Sequence, residues 1–208
     1  MRGYTVRRII DIALVAGLLI CCLGACSGNA VYADEAKKLD FFSMELSQLE
    51  KYVSVGAYKG INVSAGEGSR GDAVWQAILE GSGVIEYPQE HVYYYVEQLQ
   101  AQYGYYAEQA GVSYEEMLRQ LGLDEGDILA EAKALTKSDV VYAIIVKKEG
   151  ISVSATEKQQ LFSKYVDKYV AEYGYTKEYV ESNMSDEIYG SMLYDKTTEF
   201  LIVNNSFN

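Results

Sequence analysis

Apolar side chains recur at helical spacing through most of the second half of the chain. After Pro88 they step by four, three, four, three and four residues, at Val92, Val96, Leu99, Tyr103, Tyr106 and Ala110. This spacing predicts one long helix with an apolar stripe along one face. Pro88 suits its first turn, where a missing N–H costs nothing, and Gly111 suits its end.

Capping signals divide the rest of the chain into further helices. Ser113 with Glu116, and Ser154 with Glu157, have the spacing of a capping box. Further helix starts are predicted at Asp124, Thr176 and Ser185, and helix ends at Gly122, Gly150 and Gly174. The inner face of the last helix is predicted to carry four residues, Tyr189, Leu193, Phe200 and Val203. The fold class is therefore mainly all-α, a bundle of about six helices after Pro88.

The segment before Pro88 is less regular. Val53–Val63 alternates branched and small residues and predicts an extended segment, and Ser64–Asp72 is rich in glycine and predicts a loop. A short helix is predicted around Trp75. Residues 53–72 are thus interpreted as an extended segment with a Gly-rich linker, and residues 73–208 as the helical domain. Val140–Val146 (VVYAIIV) is apolar throughout and predicts the centre of a helix that is covered on every side.

The first residues have the pattern of an export signal. Three arginines precede an apolar run that ends in Leu23-Gly24-Ala25-Cys26. This ending resembles a bacterial lipobox, which implies a signal peptide over residues 1–25 and a lipid on Cys26. Residues 26–52 would then be a tether, and the protein would lie on the outer face of the cell membrane. An uncleaved hydrophobic anchor is the alternative, although the run falls short of the ~20 residues that span a bilayer.

Composition narrows the chemistry. The chain has 208 residues, 20 of them Tyr and one Pro, and a net charge of −12. That charge argues against nucleic acid as a partner, and it is explained either by solubility or by a preference for basic clients. All three cysteines lie within the first 26 residues. Thiol catalysis and cysteine-bound metal are therefore not expected in the mature chain.

No catalytic residue, metal ligand or cofactor is predicted. The single histidine, His91, lies beside Glu90 with no nucleophile motif and is interpreted as a solvated residue at a helix start. The acidic run 124–127 lacks the EF-hand pattern and suits the first turn of a helix. Gly66–Gly71 matches the dinucleotide motif G-x-G-x-x-G, but only helices follow, so no nucleotide is expected. Arg70-Gly71-Asp72 is interpreted as an ordinary turn.

Tyrosines are the remaining candidates for function. Tyr93, Tyr94 and Tyr95 are consecutive, so their rings point in three directions around the helix and cannot all face one core. The rings either cover neighbouring helices or line an adhesive groove for extended polypeptide. The predicted contact residues for such a polypeptide are Tyr93, Tyr95, Tyr103 and Tyr106.

The helical segments after Gly81 resemble the C-terminal chaperone domain of trigger-factor-like proteins, and their arrangement is similar to that of the helical domains of SurA and PrsA. The resemblance rests on the Pro-initiated helix, the short SYEEML helix and the long helix with VVYAI and KKEGI, and it covers about residues 81–208. It implies an ATP-independent, extracytoplasmic chaperone, or holdase, for unfolded exported proteins. The chain would bind these clients and the membrane, but neither nucleic acid nor nucleotide.

One part of the family pattern is missing. Leu49–Val63 resembles the segment that leads into an FKBP-type prolyl isomerase module in that family. Only residues 64–71 separate it from the helix around Trp75, where a module of ~100 residues would be needed. The resemblance therefore implies a form without the isomerase, and not an enzyme. Two alternatives stay open, a foldase with residual isomerase activity and a lipoprotein scaffold for one folded partner.

Overall fold

The computed structural model describes residues 35–64 and 68–208, and 68% of these residues are helical, which confirms the mainly all-α class. In this part of the chain helices α1 to α8 cover Leu46–Leu49, Arg70–Gly81, Gln89–Ala110, Tyr114–Leu121, Glu125–Glu149, Ala155–Tyr173, Lys177–Asn183 and Ser185–Val203. Strands β1 to β4 cover Val53–Ser54, Asn62–Val63, Gly83–Val84 and Ser206–Phe207. The predicted signal peptide, Cys26 and the start of the tether lie outside the described residues.

The six helices predicted after Pro88 are confirmed, and local signals explain where they end. The backbone turns left-handed, with φ of 61° to 70°, at Gly111, Gly122, Gly150 and Gly174, a conformation that glycine adopts without strain. The Ser154–Glu157 box is complete. At α4 only half of the box forms, because Ser113 accepts the Glu116 N–H while the Glu116 carboxylate binds Arg119.

The apolar stripe of α3 is confirmed as far as Tyr103 and then shifts by one residue. Val92, Val96, Leu99 and Tyr103 are buried, but the next buried position is Ala107, whereas Tyr106 is 41% exposed. A period of 3.6 residues allows a step of either three or four at this point. The tertiary packing, not the spacing, selects the step of four.

The loop prediction over residues 64–72 is wrong at its end, and so is the turn prediction for Arg70-Gly71-Asp72. These three residues form the first turn of α2. Ser69 explains the early start, because its Oγ accepts the Asp72 N–H at 3.1 Å and its carbonyl accepts the Ala73 N–H. Residues 65–67, which include Gly66 and Glu67 of the motif that matches a dinucleotide site, lie outside the described part.

The chain divides into two compact units. In its described part, unit 1 holds residues 35–56 and 82–144, and unit 2 holds residues 57–64, 68–81 and 145–208. Each unit therefore combines an early segment of the chain with a later, mainly helical segment. In unit 1, β1 and β3 pair antiparallel, Val53 opposite Val84. In unit 2, β2 and β4 pair in parallel, Asn62 opposite Ser206.

The core of unit 1 lies between α3, α4 and the first part of α5. Its buried members are Val92, Val96, Leu99, Tyr103, Leu118, Ile128, Ala132 and Leu135. Residues 35–52, the described part of the predicted tether, also contribute to burial in this unit, because Leu39, Phe41 and Leu49 are at most 9% exposed. This segment is packed rather than free.

In unit 2, helix α2 packs against α8. The Trp75 ring stacks on Tyr194 with centroids 5.6 Å apart, and its Nε1–H donates to Thr198 Oγ1 at 2.8 Å. The predicted inner face of α8 is wrong, since Val203 is 76% exposed and the buried residues are Ile188, Met192, Thr197 and Leu201. This helix carries apolar residues on all sides, so spacing alone did not identify the inward stripe.

The expectation for Val140–Val146 is confirmed, because six of its seven residues are buried and Tyr142 is half-buried. Despite this apolar run, none of the helices in residues 35–64 and 68–208 is both long and apolar enough to cross a membrane.

Candidate functional site

The four predicted contact tyrosines lie in different environments, all within unit 1. Tyr103 is 7% exposed and belongs to the core, whereas Tyr106 is 41% exposed. Tyr93 and Tyr95 are half-buried. The structure therefore separates residues that the sequence placed together, and only Tyr106 of the four presents a large part of its ring to solvent.

Tyr95 has an internal partner. Its hydroxyl donates to Asp139 Oδ2 at 2.6 Å, and its ring meets the His91 ring edge-on at 5.1 Å between centroids. Burial first, and then the nearby Asp139 carboxylate, raises the pKa of Tyr95 well above its ordinary value. Tyr95 therefore remains a neutral hydrogen-bond donor that joins α3 to α5.

The exposed aromatic feature of α3 is an adjacent pair, Tyr105 and Tyr106, here called the α3 tyrosine pair. They are 42% and 41% exposed, and their ring centroids lie 6.0 Å apart. Gln102 Nε2 donates to the Tyr106 hydroxyl at 3.2 Å. Tyr105 was not among the predicted contact residues. Its position beside Tyr106, outside the buried steps of the stripe, is the signal that could have found it.

The surroundings of this pair are acidic. Residues 89–121, which contain α3 and α4, carry five acidic side chains and one basic side chain, Arg119. Arg119 is itself held by Glu116, whose carboxylate accepts bonds of 2.6 to 2.9 Å from the guanidinium. The described residues of unit 1 hold 15 acidic and 6 basic side chains, a net charge of −9, against 12 and 9 in unit 2, a net charge of −3.

The interpretation of His91 as a solvated residue is wrong, because its side chain is 1% exposed. The Leu39 N–H donates to His91 Nδ1 at 2.9 Å, and Nε2 lies 3.0 Å from Asp139 Oδ2. Since Nδ1 accepts a bond, the proton of the neutral ring is on Nε2, which donates to Asp139. Both ring nitrogens are hydrogen-bonded and the side chain is almost fully buried, so the ring cannot reach a substrate. This Asp–His pair is therefore structural.

Carboxylates do not assemble into a metal site in the described residues, where no group of three or more His, Cys, Asp or Glu side chains is placed to hold an ion. Asp124 and Asp127 instead accept each other's backbone N–H at 3.0 and 2.9 Å, as the sequence predicted for a helix start. Glu131 is buried, and burial raises the pKa of its carboxyl.

A search for relatives found no match to the chain among protein-family models, curated proteins or solved structures.

Proposed function

We propose that the protein is an ATP-independent chaperone, a holdase that binds unfolded or extended segments of exported proteins. The observation that carries the proposal is the α3 tyrosine pair, two adjacent and exposed aromatic rings on an acidic helical hairpin. The resemblance of residues 81–208 to trigger-factor-like chaperone domains supports it further. In the proposal a lipid on Cys26 holds the chain at the outer face of the membrane, where its clients emerge.

The exposed area sets the strength of binding. A buried Tyr covers about 200 Å², so covering the exposed part of both rings removes roughly 160 Å² from water. At about 25 cal/mol per Å² this contributes at most about 4 kcal/mol, so the pair alone binds no more tightly than a Kd of about 1 mM. Contact of this strength is reversible, as a holdase requires, and a client would need several such contacts to be retained.

The experiment measures light scattering by an aggregating, chemically denatured client in the presence of the full chain. We expect suppression at stoichiometric protein, and a marked loss of it in the variant Tyr105→Ser/Tyr106→Ser. The matched control is Tyr179→Ser, because Tyr179 is a 39% exposed tyrosine of unit 2. Wild-type protein that suppresses nothing refutes the holdase. Equal suppression of aggregation by wild type and the double variant would show that the tyrosine pair is not the client-binding surface.

The same preparations separate the two alternatives. A residual prolyl isomerase would speed proline-limited refolding at substoichiometric amounts, which a holdase does not. A scaffold would retain one stoichiometric folded partner from the cell surface. The anchor is tested separately, since Cys26→Ala is expected to release the protein from membranes, and a variant that remains membrane-bound would contradict lipidation at Cys26.

A further inference from the structure

A short segment near the start of unit 1 is fastened to α3 through the only histidine of the chain. This segment, residues 37–41, is here called the strap. The Lys37 N–H donates to the Glu90 carbonyl at 2.8 Å, and the Leu39 N–H donates to His91 Nδ1 at 2.9 Å. The Phe41 ring meets the His91 ring with centroids 4.7 Å apart. Leu39 and Phe41 are 9% and 4% exposed, so the strap covers apolar surface.

The two nitrogens of His91 face opposite demands. Asp139 Oδ2 lies 3.0 Å from Nε2, where the carboxylate can form an ion pair with a charged imidazolium. The Leu39 N–H points at Nδ1, and it can only be accepted while Nδ1 carries no proton. Adding that proton places two donors against each other at 2.9 Å. Protonation of the ring and docking of Leu39 therefore exclude one another.

The other groups around the ring do not relieve this conflict. From α3, Tyr94 and Tyr95 contact the His91 ring, with ring centroids 5.7 and 5.1 Å away. The Tyr95 hydroxyl donates its hydrogen bond to Asp139 and not to His91. From the strap, the contacting side chain is the uncharged Phe41. The charged side chains of the strap, Lys37, Lys38 and Asp40, are exposed, as is Glu90.

We propose that His91 is a pH-sensitive latch, whose neutral form holds the strap on unit 1 and whose protonated form, kept by Asp139, releases it. Imidazole is the side chain that ordinarily changes charge between pH 5 and 8. Acidification would free Leu39 and Phe41 and uncover the surface of α3 beneath them. The helices of unit 1 would stay folded, because their core cluster includes neither Leu39 nor Phe41.

The test uses nitrogen-15 NMR of the full chain, in which the single histidine makes the imidazole signals unambiguous. At pH 7.5 we expect an unprotonated Nδ1 and a protected Leu39 amide. On acidification, protonation of the ring and loss of Leu39 protection should share one midpoint, with a fall of at least about tenfold in the Leu39 protection factor. The Leu99 amide in the core should keep its protection.

Two variants sharpen the outcome. Asp139→Asn still accepts from Nε2 but has lost the charge that pairs with the imidazolium, so release should move to lower pH. His91→Gln cannot titrate, so its Leu39 protection should show no step with pH. The latch is overturned if the ring becomes charged while Leu39 stays protected, if neither changes down to pH 4.5, or if the step persists in His91→Gln.

Discussion

Replacement of Leu49 by Ala tests whether residues 35–52 belong to the folded body of unit 1. The sequence predicts this stretch as part of a tether, in which Leu49 would be exposed and its truncation harmless. The structure places Leu49 at the end of α1 with 0% exposure. The two descriptions therefore differ in the free energy that one side chain contributes to unfolding.

The magnitude follows from what the substitution removes. Leucine loses three carbon atoms, which at about 0.8 kcal/mol per buried methylene amounts to about 2.4 kcal/mol of transfer free energy. The cavity left behind adds to this, and fully buried Leu-to-Ala changes cost about 2.7 to 5 kcal/mol in total. We expect Leu49→Ala to lower the unfolding free energy of unit 1 by an amount in that range.

The assay is urea unfolding followed by far-UV circular dichroism and by fluorescence of Trp75. Trp75 is the single tryptophan and lies in unit 2, so its transition reports that unit while the dichroism reports both. Ser47→Ala, at an exposed position of the same helix, is the control and should stay within about 0.5 kcal/mol of wild type. A Leu49→Ala variant as stable as the control would show that this segment is not packed.

The remaining predictions concern unit 2, with Trp75 fluorescence as the probe. Asn205→Ala removes three side-chain hydrogen bonds to the backbone, and should lower the free energy of unfolding by about 2 to 3 kcal/mol. Asn204→Ala, which removes one exposed hydrogen bond, is the control. Equal losses of stability in the two variants would contradict the prediction. Lys196 first, and then Ser154, hold the pKa of Glu157 at about 2, below its ordinary 4.5. A lowered folded-state pKa contributes stability that is lost as pH falls. Glu157→Gln should therefore be less stable than wild type at pH 7, and this difference in stability should vanish between about pH 4.5 and 2. The same loss of stability in Glu178→Gln would refute this assignment.

Local signals explain why so many helix ends were predictable. A Ser or Thr that caps, and a glycine that turns left-handed, act on backbone groups within four residues, so the sequence displays both partners together. Ser154 with Glu157 and Gly174 lie where their motifs predict. The acidic residues at the start of α5 are of the same kind. The one early start, at Arg70, came from Ser69, whose capping role was hidden within a glycine-rich stretch.

The candidate site was less predictable because exposure depends on partners that lie far along the chain. Tyr103, Tyr105 and Tyr106 are similar in sequence context, yet the first is in the core and the other two are on the surface. Helical spacing allowed either Tyr106 or Ala107 to continue the buried stripe. The packing of α3 against α4 and α5 made that choice, which one helix considered alone does not contain.

The sequence by itself determined the helices after Pro88, the acidic charge and the location of the cysteines, because each depends on composition or on neighbours within a few residues. Only the tertiary structure decided the role of His91, which is bonded to residues 52 and 48 positions away, and the docking of Asn205 on Ile61, 144 positions away. Such contacts form when the chain closes large loops, and no short stretch of sequence carries the geometry that closure creates.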